Sequence, residues 1–309
     1  MSGAESHRRH WPAGSAAAGP WSVSLDPERA GWAYTGLRVV ALPPGGRIGF
    51  DTGPDEVIVL PLAGSAVLRW ADSPPDPDRT MELVGRPGVF AGTTDFGYLP
   101  PGTRAELSSP DGGRYALPSA RARRRFPARY GPADGVRVEL RGAGACSRQV
   151  NNFATPETFR TDRLIACEVL TPDGNWSSYP PHKHDEERPG AEAVLEEIYY
   201  FEVGAGPTGT PGYGYQRVYG TEARPIEVLA EVRSGDTVLV PYGWHGPSIA
   251  APGHPLYYLN AMAGPAEERA WLISDDPAHA WVRASWAGQP VDPRLPFGRD
   301  LPPSPAELR

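Results

Sequence analysis

The chain has 309 residues, of which 36 are glycine and 37 are proline, the two residue types that most often interrupt helices. This composition excludes a helical bundle or a long coiled coil, while 40% hydrophobic residues are enough for a substantial core. The net charge of −7 argues against a polyanion such as nucleic acid as the main partner. At this length we expect two domains built from short strands.

The cysteine content and the hydropathy pattern bear on the compartment. The two cysteines, Cys146 and Cys167, are too few for a disulfide framework or a thiolate zinc site. No apolar run reaches the roughly 18 residues of a membrane span, and the N-terminus lacks the apolar core of a secretory signal. We therefore expect a cytoplasmic protein that does not bind membranes.

Short strand-like runs separated by proline and glycine turns follow a first segment, residues 1–20, whose composition predicts a mobile tail. In the first half these runs are residues 37–42, 56–62, 66–70, 97–99 and 115–117. In the second half they are residues 136–140, 164–170, 197–203, 213–219, 227–232, 237–240 and 256–260. The pattern is typical of all-β sandwiches and barrels.

The order of these runs also suggests domain boundaries. We predict one β domain over residues 21–130, a second over residues 131–290 and a proline-rich C-terminal tail over residues 291–309. Near the end of the second domain, Asp276 and Pro277 precede an apolar pattern that predicts a short helix.

A weak internal repeat supports a duplicated domain. Glu56 and Glu197 each open an apolar run and lie 141 residues apart, and Pro100-x-Gly102 precedes Pro241-x-Gly243 by the same offset. At this offset His245 of the second half falls on Arg104 of the first.

Three histidines and one glutamate form the candidate metal site. His182 and His184 flank Lys183, and the period of two along a strand places both imidazoles on one face. Glu197 opens an apolar strand, where a buried carboxylate requires a partner or an ion. His245 follows a turn directly after the strand-like run 237–240. The set suits one divalent ion, Zn²⁺, Fe²⁺, Mn²⁺ or Ni²⁺, and ligand type alone does not choose among them.

The order of these residues resembles the two signature motifs of the cupin superfamily, whose members are small β-barrels that hold a metal by three histidines and one glutamate. Two differences from that pattern are present. Twelve residues separate His184 from Glu197 where the compact motif has three or four, which indicates an inserted loop, and His245 comes one residue early. Because of this loop, Glu186, Glu187 and Glu196 stay open as alternatives to Glu197.

Four segments, residues 148–153, 213–219, 240–248 and 257–265, resemble the 5-deoxy-glucuronate isomerase family of inositol catabolism, which is related to the 5-keto-4-deoxyuronate isomerases. The resemblance covers most of residues 20–290. It implies a bicupin in which the second cupin binds the metal and the first has lost its ligands. It also implies an aldose-to-ketose isomerisation of 5-deoxy-glucuronate to 5-dehydro-2-deoxy-gluconate.

The implied substrate is a sugar acid with one carboxylate, so an arginine is expected beside it. Strand alternation places Tyr213, Tyr215 and Arg217 on one face, and we predict that they bind substrate, with Arg148 as a further candidate. For the catalytic base, the sequence leaves Glu197, Tyr215 and a metal-bound hydroxide open.

Two other classes of function are compatible with a bicupin. An iron-dependent cupin dioxygenase would use the same ligands, and a non-catalytic sugar-binding or storage bicupin would need no complete ligand set. The intact set of histidines and glutamate favours an enzyme. The native metal, the role of the first cupin and the oligomeric state, including a possible homo-oligomer, stay open.

Overall fold

The computed structural model describes residues 9–71 and 79–298, and strands form most of its regular structure. The first eight strands are β1 His10–Trp11, β2 Val23–Leu25, β3 Thr35–Asp51, β4 Asp55–Ala71, β5 Arg79–Arg86, β6 Phe96–Leu99, β7 Arg104–Arg121 and β8 Arg129–Gly131. The other strands are β9 Arg137–Arg141, β10 Arg148–Ala154, β11 Ile165–Thr171, β12 Trp176–Ser177, β13 His182–Lys183, β14 Glu196–Val203, β15 Gly214–Tyr219, β16 Glu227–Val232, β17 Thr237–Val240, β18 Trp244–Ala250, β19 Leu256–Ala263 and β20 Ser274–Asp275.

The helices that lie wholly within the described ranges are single turns. The α-helical turns among them are α1 Pro27–Ala30 and α2 Val282–Ser285, and the 3₁₀ turns are Val89–Ala91, Ala133–Gly135 and Gly144–Cys146. The predicted helix after Asp276 is therefore shorter than expected, because residues 277–281 form turns before α2 begins. In the described ranges no helix is long and apolar enough to cross a bilayer.

The first domain is one seven-stranded sheet with the order β2-β3-β7-β4-β6-β8, and β5 is paired to β4. β7 pairs along its length with both β3 and β4, and register shifts in β4 allow these long strands to curve. The predicted runs 56–62 and 66–70 are thus two parts of one strand. The curved sheet encloses apolar side chains, including Val40, Leu42, Ile48, Phe50, Val57, Val59, Leu68, Trp70, Leu99, Leu107, Tyr115 and Leu117.

The second domain has two facing sheets. One sheet has the order β1-β17-β14-β19-β11-β10-β9, and the other has the order β16-β15-β18-β13-β20 with β12 paired to β18. Between them lie Val150, Ile165, Cys167, Val169, Tyr199, Phe201, Val218, Val228, Val232, Val238, Val240, Tyr258 and Met262. The prediction of an all-β chain with two tandem barrels is confirmed.

Both ends of the described chain pack on the second domain. His10 and Trp11 pair with β17, and Asp236 accepts a hydrogen bond from the Ala13 N–H at 2.8 Å and contacts His10 Nε2 at 3.0 Å. The prediction of a mobile tail over residues 1–20 is therefore wrong from His10 onwards, and residues 1–8 lie outside the described ranges. In the predicted C-terminal tail, Phe297 donates its N–H to Gln149 Oε1 at 2.7 Å; residues 299–309 are not described.

Strand pairing shifts the alignment of Glu197 with the first domain by one residue from the alignment that the sequence repeat predicted. Glu197 of β14 pairs with Val240, while Val57 of β4 pairs with Leu99. Since Leu99 and Val240 are 141 residues apart, the counterpart of Glu197 is Val57 and not Glu56. A shift of one residue moves a side chain to the other face of a sheet. The position of the candidate metal ligand is thus taken in the first barrel by a buried valine.

The counterpart of Glu56 is Glu196, and the two carboxylates join the domains reciprocally. Glu56 is fully buried and accepts hydrogen bonds from three backbone N–H groups of the second domain, Asp162, Arg163 and Leu164, at 2.6–2.7 Å. Glu196 accepts three from residues 33–35 of the first domain at 2.8–3.0 Å. Around these contacts lies a shared apolar core, with Ile58, Leu60, Leu62, Phe153, Leu164, Ile198, Tyr200 and Leu259.

Removal of the Glu56 carboxylate should destabilise the whole chain. In Glu56→Ala three buried N–H groups and the Tyr98 hydroxyl, which donates to Glu56 at 3.0 Å, lose their acceptor. We expect the free energy of unfolding to fall by about 3 kcal/mol or more, since each unsatisfied buried donor costs about 1–3 kcal/mol. Urea denaturation measures this, with exposed Glu222→Ala as control. Equal losses in the two variants would contradict the structural role of Glu56.

Candidate functional site

Three histidines meet inside the second barrel. His182 on β13 lies directly opposite His245 on β18, and His184 follows β13. One ring nitrogen from each imidazole lies within 4.8 Å of the other two. The predicted common face of His182 and His184 thus meets His245, which lies 61 positions after His184 in the chain.

Glu197 adds a carboxylate to this cluster. Its Oε2 atom lies 3.1 Å from His184 Nε2 and 3.1 Å from His245 Nε2. His184, Glu197 and His245 are each at least 98% buried. All four residues of the predicted ligand set therefore lie together, three of them buried and His182 partly exposed.

The hydrogen bonds of two imidazoles fix which ring nitrogen faces Glu197. His184 Nδ1 lies 3.0 Å from the Leu195 carbonyl oxygen, and His245 Nδ1 lies 3.1 Å from the Gly243 carbonyl oxygen. A carbonyl only accepts, so each Nδ1 carries a proton and each Nε2 is the nitrogen that faces Glu197. Burial alone would lower the pKa of His184, but its contact with the Glu197 carboxylate raises that pKa. His245 Nε2 has no hydrogen-bond partner in the described part of the chain.

This arrangement of acceptors fits a cation. A buried carboxylate oxygen this close to two imidazole nitrogens requires a positive charge between them, which either a ring proton or a metal ion supplies. Ligands about 2.1 Å from a common ion are separated by about 3.0–3.4 Å, which matches the 3.1 Å separations of Glu197 Oε2 from the two imidazole nitrogens. The donor set of imidazole nitrogens and a carboxylate oxygen suits a first-row divalent metal.

The charge states of His182 and Glu197 are those required of metal ligands. Burial, together with neighbouring His245 and His184, holds the pKa of His182 well below its usual range, so its ring is neutral. Burial alone would raise the pKa of Glu197, but its contacts with His184 and His245 lower that pKa to about 2. A neutral imidazole and an ionised carboxylate are the forms that bind metals.

The inserted loop, residues 185–196, explains how His184 reaches Glu197 across 12 intervening residues. Buried Glu192 anchors the loop, because its carboxylate pairs with Lys183 at 2.9 Å and accepts the Asp185 N–H at 2.9 Å. The loop then closes where Leu195 N–H donates to the His184 carbonyl at 2.9 Å. Lys183 is held in this ion-pair network on the side away from the histidines.

The other glutamates considered as ligands lie elsewhere. Glu186 and Glu187 are exposed, and Glu196 binds backbone groups of the first domain. Among these candidates, only Glu197 contacts the histidines.

Hydroxyl and amide groups line the barrel interior beside Glu197. Ser178 Oγ lies 2.9 Å from the Tyr258 hydroxyl and 3.4 Å from that of Tyr199. Burial raises the pKa of both tyrosines, and the charge of Glu197 adds to the effect on Tyr199, so both stay protonated. Asn260 is 3% exposed and its Nδ2 has no hydrogen-bond partner within the described residues.

A strained turn holds Ser178 in this position. Ser178 has a φ of +46°, a left-handed conformation that is costly for a residue other than glycine. Its carbonyl oxygen packs against Gly246, and a Cβ added to Gly246 would lie only 1.8 Å from that oxygen. Gly246 directly follows His245, so this contact couples the Ser178 turn to the ligand strand.

Two adjoining cavities lead to the site. The inner cavity, of about 30 Å³, is lined by Glu197, Ser178, Tyr199, Tyr258 and Asn260. The outer cavity, of about 290 Å³, is lined by Glu139, Pro180 and Arg283. The residues that line both cavities are Arg141, Arg148, His182, Trp271 and Ile273.

Three predicted substrate-binding residues lie outside these cavities. Tyr215 and Arg217 share one face of β15, and Tyr213, directly before the strand, has its ring 5.8 Å from that of Tyr215. Gln216 and Val218 point to the core, so the face of Tyr215 and Arg217 is the outer one. Arg217 stacks on the ring of Tyr219 at 4.2 Å. The structure therefore gives no support to substrate binding by these three residues or to catalysis by Tyr215, because the alternation places them on the side of the strand away from the core and the cavities.

Arg148 is the predicted substrate-binding residue that does reach the cavities. Sequence reasoning missed Arg141, Asn260, Trp271 and Arg283, which line them as well. The period of two, applied to residues 256–260, would have placed Asn260 on the same face as Tyr258. Trp271 and Arg283 lie beyond the last long strand, and no sequence pattern brings them to the site.

Comparison with known proteins agrees with this geometry. The model of the KduI/IolB family matches residues 10–282. The chain belongs to the KduI/IolB family. A 5-deoxy-glucuronate isomerase of Geobacillus kaustophilus (strain HTA426) is 39% identical to this family member over 272 residues, which are 85% of this chain and 91% of that protein.

Solved structures support the same assignment. The crystal structure of an IolB-like protein from Salmonella typhimurium LT2 superposes with a TM-score of 0.79 at 31% identity, covering 89% of this chain and 98% of that one. The oxalate decarboxylase of Lactobacillus farciminis, at 11% identity and a TM-score of 0.58 over 84% of this chain and 87% of that one, shows the shared bicupin fold. This KduI/IolB family member is an isomerase with a bicupin fold.

The ligand set leads us to expect that specific variants lose a bound metal ion and that others keep it. We expect about one divalent ion per chain in the purified protein, and its loss in His182→Ala and in His245→Ala, because each change removes a nitrogen ligand. Elemental analysis of folded protein measures the content. Glu187→Gln, which changes an exposed carboxylate of the inserted loop, is the control and should keep the metal. Equal metal in all four proteins would exclude this site.

Proposed function

We propose that the protein is a metal-dependent aldose-ketose isomerase that converts 5-deoxy-glucuronate to 5-dehydro-2-deoxy-gluconate. His182, His184, His245 and Glu197 would hold one divalent ion. The observation that carries the proposal is the cluster of buried acceptors around Glu197 Oε2, which borders a cavity that also exposes an arginine. The name of the Geobacillus relative supports the substrate and the reaction.

The reaction needs a proton moved between two neighbouring carbons. The base removes the proton from C2 of the aldose and a proton is delivered to C1, while the O2 hydroxyl loses its proton and the C1 carbonyl oxygen gains one. A divalent ion would supply Lewis-acid stabilisation of the negative charge that develops on these two oxygens.

Glu197 is the carboxylate that the described residues place in the inner cavity, which makes it the chain's own candidate base. While it contacts His184 and His245 its lowered pKa makes it a weak base. Base function therefore requires Glu197 to turn away from at least one of these contacts. Tyr199 and Tyr258 stay protonated, so they serve as hydrogen-bond donors and not as bases.

The inner cavity is too small for a whole sugar, since about 30 Å³ holds little more than a water molecule. The sugar would therefore occupy mainly the outer cavity and present its reacting carbons towards His182, which lines both. The unpaired amide of Asn260 and the hydroxyl of Ser178 offer hydrogen bonds to an oxygen that enters the inner cavity.

A direct assay tests this function. Purified protein with its metal should convert 5-deoxy-glucuronate to the ketose, followed by NMR, and a chelator should abolish turnover until metal is restored. Glu197→Gln should lower turnover by about 100-fold or more, as expected for removal of a base and ligand. Absence of turnover in metal-loaded protein would overturn the assigned reaction. Oxygen consumption on the same substrate would instead indicate a dioxygenase.

A further inference from the structure

Arg148 is a buried cation that no acidic side chain of residues 9–71 and 79–298 pairs with. It is 5% exposed, its Nη1 donates to the Cys146 carbonyl at 3.1 Å, and its guanidinium lies 5.6 Å from the centre of the Trp286 ring. No carboxylate forms an ion pair with it among the described residues. A buried charge of this kind is costly unless a ligand compensates it.

The other two arginines of the cavities have acidic partners. Arg141 pairs with Glu139 through two contacts, at 2.8 and 3.1 Å. Arg283 pairs with Asp275, with one contact at 2.7 Å. One positive charge, that of Arg148, is therefore left uncompensated in the cavity wall. Burial lowers the pKa of Arg148 to about 10, and Arg141 and Arg283 add to this effect, so Arg148 is still charged at neutral pH.

Arg148 also lies where the two cavities meet. It lines both, together with His182 and Trp271, whereas Glu197 lines only the inner one. A molecule in the outer cavity that touches Arg148 therefore has its other end free to approach His182. Arg148 therefore lies beside His182 at the junction of the cavities, while Glu197 is reached only through the inner one.

We infer that Arg148, supported by Arg141, binds the carboxylate of a monoanionic sugar acid in the outer cavity and so sets which end of the sugar faces Glu197. The inference rests on the proposed function for the identity of the sugar. A guanidinium suits this task, because its parallel N–H groups match the two oxygens of a carboxylate. A single uncompensated charge favours one carboxylate over a neutral sugar.

The segment after β19 contributes two residues, Asp275 and Arg283, to the surroundings of the carboxylate-binding subsite around Arg148. Asp275 of β20 pairs with His182 of β13, and the chain then turns so that Arg283 of α2 reaches the outer cavity. Asp275 thereby neutralises Arg283 and leaves Arg148 as the anion-binding group. The subsite is built from both the barrel and the segment that follows its last long strand.

Calorimetric titration with D-glucuronate and with D-glucose tests the subsite without requiring turnover. Wild-type protein should bind glucuronate more tightly than glucose. Arg148→Met should weaken glucuronate binding by about tenfold or more, since a hydrogen bond to a charged group contributes about 1.5–3 kcal/mol. Arg148→Lys, which keeps the positive charge but lacks the parallel N–H groups of the guanidinium, should bind glucuronate with intermediate affinity.

Arg217→Met is the matched control, because it removes an exposed arginine from the outer face of the same domain. It should bind glucuronate as the wild type does. Metal content and the thermal midpoint of each variant verify folding, and Arg148→Lys keeps the test decisive if Arg148→Met is unstable. Unchanged binding in the Arg148 variants, or no preference of the wild type for glucuronate, would overturn the subsite.

The two proposals fail separately. Binding that depends on Arg148 without turnover of 5-deoxy-glucuronate would keep the subsite and overturn the assigned reaction. Turnover with unchanged KM in Arg148→Lys and unchanged glucuronate affinity would keep the reaction and overturn the subsite.

Discussion

The alternation of β14 is the constraint on which both the fold and the site depend. Glu196 and Glu197 are adjacent in the chain, yet their carboxylates point to opposite faces of the strand. Glu196 binds three backbone N–H groups of the first domain, and Glu197 faces the histidines inside the second barrel. The register of this one strand therefore positions the domain interface and the ligand set together. A slip of one residue would lose both.

The first barrel contains a strand that matches β14 but has a valine at the position of Glu197. Glu56 has the interface role of Glu196, while Val57 stands where Glu197 stands in the second barrel. The interior of the first barrel is apolar, and the one cluster of three metal-binding side chains in the described ranges lies in the second barrel. The two barrels thus share the contact that joins the domains and differ at the candidate ligand position.

Two binding preferences of opposite sign lie side by side in the second barrel. The imidazole nitrogens and the Glu197 carboxylate converge in the inner cavity, which favours a cation. Arg148, at the junction of the inner and outer cavities, carries a positive charge that no carboxylate of the described residues pairs with, which favours an anion. Burial strengthens both preferences, because water screens neither of them. A sugar acid that contacts both groups would present its carboxylate and its carbonyl to different partners.

Turn residues, apolar runs and the period of two were enough to predict the all-β fold, a repeated β domain and the common face of His182 and His184, because these are local properties of a strand. The resemblance to the cupin motifs added His245 and Glu197, with Glu186, Glu187 and Glu196 open until the contacts with the histidines selected Glu197. The folded structure supplied what local patterns do not contain. It showed which face of β15 meets the core, and so moved Tyr213, Tyr215 and Arg217 to the outside. It also brought Arg141, Arg148 and Arg283 to one cavity and paired His10 and Trp11 with β17, because these contacts join residues far apart in the chain.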